Sequence, residues 1–164
     1  MLTNIKHGKI DLSCIADGGF KPYKDGKIWS DELNRAFKTY REIFIPAGRY
    51  YVDRSLIVPS DTKIYADEHA EIILTKGTGT LLLRNESVID GSDYKIPDDA
   101  PCDENISVCG GIWGEENEER LGYGVSGRFD ENDTYHGVST CFLFSGVRGL
   151  TLKNLVFRAA AGFA

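Results

Sequence analysis

The chain has 164 residues, a net charge of -6 and a hydrophobic fraction of 41%, enough for a single domain with a core and too apolar for a disordered segment. Its acidic balance, with no concentration of Lys and Arg, argues against nucleic acid as a partner, because phosphate binding needs clustered cations. No run is long enough to cross a membrane, and Met1 to His7 has no apolar signal core, so the expected location is the cytoplasm as given, or a secreted or periplasmic one if a signal was removed.

In chain order, Asp17-Gly18-Gly19 and Lys24-Asp25-Gly26 are turn signals. A helix is expected from Ser30 to Tyr40. Ser30 or Asp31 can cap it, Asp31 and Glu32 sit at the positive end of its dipole, and Leu33, Ala36, Phe37 and Tyr40 fall at helical spacing. The pattern then changes to short apolar runs separated by Gly, Pro, Asn or Asp. They are Ile43–Ile45, Tyr50–Val52, Leu56–Val58, Lys63–Ala66, Glu71–Leu74, Thr80–Leu83, Ile106–Val108, Ile112–Trp113, Cys141–Phe144, Leu150–Leu152 and Leu155–Phe157. Each is of strand length and rich in β-branched and aromatic residues. No helical pattern lies between them, which leaves an antiparallel sandwich or barrel, or a parallel solenoid.

An internal repeat favours the solenoid. Asn105–Trp113 aligns without gaps on Gly149–Phe157, and both read x-[Ile/Leu]-[Ser/Thr]-[Val/Leu]-x-[Gly/Asn]-x-[Ile/Val]-aromatic. A small residue between two short strands can turn a corner from one sheet to the next, so that stacked coils bury equivalent side chains. The copies are 44 positions apart. Gly114 to Gly137 is polar and Gly-rich and reads as a loop inserted into one coil, leaving an underlying period in the low twenties. A second excursion, from about Glu86 to Glu104, reads as another loop able to wall a cleft.

Four cysteines, Cys14, Cys102, Cys109 and Cys141, form no C-x-x-C pair, which argues against zinc and thioredoxin-like chemistry. Cys109 and Cys141 lie in apolar runs and are expected as small core residues. One disulfide is possible and none is required. No metal or cofactor is expected.

The segment from Ala16-Asp17-Gly18 through the helix to Ile43-Phe44-Ile45-Pro46-Ala47-Gly48-Arg49-Tyr50 resembles the start of polygalacturonase-like β-helix proteins (glycoside hydrolase family 28 and relatives). There a "GADG" turn leads to a capping helix and an "IPAGTY" strand opens the coils. Ser55–Leu74 is similar to the following coil, and Asn105–Trp113 and Gly149–Phe157 to later "N-I-x-I-x-G-x-x-W" and "N-x-x-I-x-N-x-x-F" coils. The resemblance covers nearly the whole chain. It implies an all-β fold: a right-handed single-stranded parallel β-helix, a pectate-lyase-like solenoid, with one N-terminal capping helix. It also implies one domain over 1–164, with a cap over about 1–42 and coils over about 43–164. The implied activity is hydrolysis of pectin-type polysaccharide, galacturonan or rhamnogalacturonan. A non-catalytic carbohydrate-binding or tailspike-like module and a polysaccharide lyase are the alternatives. The expected partner is a polysaccharide or oligosaccharide, with no membrane contact.

Relatives carry "N-T-D", "D-D", "G-H-G" and "R-I-K" segments on successive coils, where paired carboxylates serve inverting hydrolysis. None of these occurs here in order, so the chain is expected to be inactive alone, a portion of a longer protein whose catalytic residues lie beyond Ala164. An open C-terminal coil would then permit end-to-end association. Five residues are candidates for substrate binding. Trp113 could stack on a sugar or fill a core corner. Glu115 and Glu116 belong to an acidic run that either binds sugar hydroxyls or is solvated. His136, in Asn132–Ser139, resembles the "H-G" piece. Arg158 could meet a uronate carboxylate or sit on the surface.

Overall fold

The computed structural model describes residues 7–15, 19–76, 78, 80–88, 102–116, 128–129, 135–136 and 141–158. Strand β1 (His7–Asp11) is followed by a 3-10 turn at Leu12–Cys14, the hairpin strands β2 (Pro22–Tyr23) and β3 (Gly26–Lys27), and helix α1 (Ser30–Thr39). Then come β4 (Tyr40–Ile45), β5 (Gly48–Val52), β6 (Leu56–Val58), β7 (Thr62–Leu74), β8 (Leu83–Asn85) and β9 (Asp103–Glu115). The last are β10 (Arg128–Phe129), β11 (Tyr135–His136), β12 (Phe142–Leu143), β13 (Val147–Lys153) and β14 (Val156–Arg158). Every expected run from Ile43 onward falls in or beside a strand. The largest displacement is at Thr80–Leu83. There the Leu82 and Leu83 amides both turn to the Cys141 carbonyl, so pairing starts only at Leu83.

The main sheets are parallel. One runs in the order β1-β4-β7-β9-β13, with β5 on the second half of β7 and β14 on the second half of β9. Another runs β12-β8-β6. The chain therefore leaves the large sheet, visits the small one and returns beside its previous pass. Ile43 pairs with Ile64, 21 positions on. Thr62 pairs with Ile106, and Ile106 with Leu150, each 44 positions on. The repeat read from the sequence is thus a register: Ile106 to Cys109 lie beside Leu150 to Lys153, and Ile112 and Trp113 beside Val156 and Phe157. The Gly114–Gly137 and Glu86–Glu104 loops lie largely outside the described residues.

Alternation explains the core. Along β4, Ile43 and Ile45 turn inward and are fully buried, while Glu42 and Phe44 turn outward. The same phase buries Ile64, Ile72 and Leu74 on β7, and Ile106, Val108 and Trp113 on β9. Each such side chain contributes about 1.5–3 kcal/mol on leaving water. Corners are made by residues in the left-handed region. Asp61, Asn105 and Gly149 form one such column (φ 57°, 57° and 76°), and Gly110 and Asn154 another (φ 80° and 56°). Gly, Asn and Asp tolerate that conformation best.

Helix α1 packs Leu33, Ala36 and Phe37 into the core. Asn34 reaches the free edge of β6: its Nδ2 donates to the Ser55 carbonyl at 3.1 Å, and its Oδ1 accepts the Ile57 amide at 2.8 Å. A carboxamide has one donor arm and one acceptor, so it stands in for a neighbouring strand. Neither residue expected to cap α1 does so. Trp29 holds the cap position with no side-chain bond, and Ser30 instead exchanges hydrogen bonds with Asp53 (2.7 and 2.8 Å). The four cysteines are thiols, not joined in disulfides. Cys141 is buried as expected, whereas Cys109 faces outward and is only half-buried. Among the described residues, no helix is long and apolar enough to cross a membrane.

Candidate functional site

The outer face of β5, the second halves of β7 and β9, and β14 carries a connected set of charges. Tyr50 and Val52 on β5 join the core and Arg49 is exposed, while Tyr51, on the Arg49 side of the strand, is buried beneath the β2–β3 hairpin, its ring against Tyr23. Arg49 stands in register with Glu71, and Tyr51 with Ile73, Gly114 and Arg158. Arg49 Nε donates to Glu71 Oε2 at 3.0 Å, and Arg158 Nη1 lies 3.6 Å from Glu71 Oε1. Arg49 Nη1 also donates to Asp25 Oδ2 at 3.2 Å, and the Tyr51 hydroxyl donates to Asp25 Oδ1 at 2.7 Å. Tyr51, Asp25, Arg49, Glu71 and Arg158 thus form one continuous polar row. The Tyr51 hydroxyl, then its own backbone amide and Arg49, hold the Asp25 carboxyl below its ordinary range. Gly114 admits the Arg158 backbone: a Cβ there would lie 2.4 Å from the Arg158 carbonyl oxygen.

Glu116 borders this face. Its amide donates to the Leu74 carbonyl at 2.9 Å. Its carboxylate accepts from the Tyr23 hydroxyl at 2.6 Å, from Lys24 Nζ at 2.7 Å and from the Lys76 amide at 3.4 Å. Burial pushes the carboxyl up, but Lys24 and Tyr23 outweigh it, so it titrates below its usual range. Glu116 thereby fastens the β2–β3 hairpin to the end of β9.

The five sequence candidates are not brought together. Arg158 lies in the row and Glu116 at its border. Trp113 requires a correction: it is fully buried, donates from Nε1 to the Gly110 carbonyl at 2.9 Å and meets Phe142 edge-on, so no ring face is open to a sugar. Glu115 requires another. It is 4% exposed, in register with Leu74, and its charge helps burial raise the Cys141 thiol, so it faces the interior rather than a cleft. His136 pairs through its backbone with Arg128. Its side chain and most of Asn132–Ser139 lie outside the described residues. Sequence reasoning missed Asp25, Arg49, Tyr51 and Glu71. The available signal was Arg49 and Glu71, 22 positions apart at the same phase of successive strands.

Chemically, the face presents carboxylates beside guanidinium groups, able to exchange charge-assisted hydrogen bonds with a polar ligand. A general acid at neutral pH needs a raised pKa. Asp25, Glu42, Asp53, Asp103 and Glu116 are all shifted the other way. Among the described residues, no three His, Cys, Asp or Glu side chains converge as metal ligands. No family model, curated protein or solved structure matches this chain.

Proposed function

We propose that the chain forms coils of a right-handed parallel β-helix of the polygalacturonase-like kind, in a protein that acts on pectin-type polysaccharide. The observation that carries this reading is the parallel register at steps of 21, 44 and 44 positions, which supports one strand per sheet per coil. The helix that satisfies the edge of β6 supports a capped first coil. The depressed carboxylates favour a binding role for the described residues, with bond cleavage supplied by groups outside them. That same observation keeps a non-catalytic carbohydrate-binding module as the second reading.

Incubation with polygalacturonate and rhamnogalacturonan, followed by assay of new reducing ends and of unsaturated products, tests the proposal. The expected result is binding with neither product. Robust turnover would assign cleavage to this chain and overturn the binding role.

A further inference from the structure

Two aromatic side chains stand on the solvent side of the large sheet. Phe44 on β4 and Tyr65 on β7 are register partners, and each leaves 40% of its surface exposed. They belong to a row that runs Asp11, Phe44, Tyr65, Cys109 and Lys153 across five parallel strands, at about 4.8 Å per step. Tyr23, Tyr50 and Tyr51 each donate their hydroxyl to a protein acceptor. The Tyr65 hydroxyl has no acceptor among the described residues. In the neighbouring row Lys9 and Lys63 both pair with Glu42, at 2.8 and 3.6 Å. Lys153 is exposed and has no ion pair among the described residues.

We propose that this row is a binding platform for a uronate-containing oligosaccharide. The C–H faces of the sugar rings lie on Phe44 and Tyr65. The Tyr65 hydroxyl donates to a sugar oxygen, and the Lys153 ammonium, two steps beyond Tyr65, meets a uronate carboxylate. Cys109, small and half-buried between them, keeps the step in the row low. A protein partner is disfavoured because it would need a broad apolar patch, whereas Lys9, Glu42 and Lys63 border these rings. The platform rests on the polysaccharide reading above and lies on a different face from the Arg49–Glu71–Arg158 row.

Affinity electrophoresis of the full chain in gels containing polygalacturonate, with dextran as the neutral control, tests it. Phe44→Thr and Tyr65→Thr keep a strand-forming β-branched residue, and Lys153→Gln alters only an exposed side chain. Melting curves of each variant report on folding. The platform predicts that each aromatic variant binds about three- to tenfold more weakly. Lys153→Gln should bind more weakly than wild type at low salt and approach it at high salt. Wild-type retardation with all three variants unchanged overturns the platform and leaves the polysaccharide reading standing. No retardation of the wild type in polygalacturonate overturns both.

Discussion

Gly110 and Asn154 occupy equivalent corner positions on the neighbouring strands β9 and β13, and both are left-handed. A Cβ at Gly110 would lie 2.1 Å from the Ala66 carbonyl oxygen. Gly110→Ala is therefore expected to cost about 2–4 kcal/mol in urea unfolding, from strain and displaced backbone together. Gly149 is also left-handed, but a Cβ there makes ordinary contacts with Asn105, at 3.4 Å from its Oδ1 and 3.7–3.8 Å from its backbone. Gly149→Asn should cost less than about 1 kcal/mol, since Asp61 and Asn105 hold the same conformation in that column. Asp103 is the second residue-scale test. Its carboxylate accepts from Asn85 Nδ2 (2.7 Å), the Ser87 amide (2.9 Å) and the Ser60 hydroxyl (3.1 Å). Burial raises its pKa, and these bonds more than reverse the effect, leaving it below the ordinary aspartate value. Its ionised form therefore stabilises the fold above that ordinary value, and the contribution fades as pH falls through the folded value. Asp103→Ala should cost about 2–3 kcal/mol at neutral pH by leaving buried donors unpaired, and should flatten the acid limb of a stability–pH curve.

At the scale of elements, α1 and the β2–β3 hairpin are held by single residues. Asn34→Ala improves intrinsic helix propensity but strips both edge bonds from β6, so net destabilisation of about 1–2 kcal/mol is expected. Faster hydrogen exchange at the Ile57 amide would mark the lost bond. Glu116→Ala releases Tyr23 and Lys24 together, and faster tryptic cleavage at Lys24 or Lys27 is the expected readout. The strands were legible in the sequence because alternation and β-branching are local. The stacking was legible because the repeat at 44 positions carries the left-handed corner residues with it. The polar row was not, because Asp25 reaches Arg49 and Tyr51 through a hairpin whose docking no local pattern encodes. Glu115 misled for a related reason. It opens an acidic run, yet the strand phase continues from the buried Trp113 through it and turns it inward.

At the scale of the molecule, each pass adds one layer to a common core. Leu150 and Leu152 on β13 continue the columns of Ile106 and Val108 and are 37% and 45% exposed. Concentration-dependent association in sedimentation velocity, reduced by Leu152→Lys, is expected if these side chains meet a second copy. The outer faces carry the functional reading: one row of paired charges and one row of aromatic rings, with acidic groups held ionised. The most direct measurement is calorimetric titration of the chain with size-fractionated oligogalacturonates at two salt concentrations. The account predicts saturable binding that strengthens with oligomer length and weakens with salt, with the oligomers recovered uncut. Equal affinity for neutral oligomers, or cleavage of the galacturonates during the titration, would contradict it.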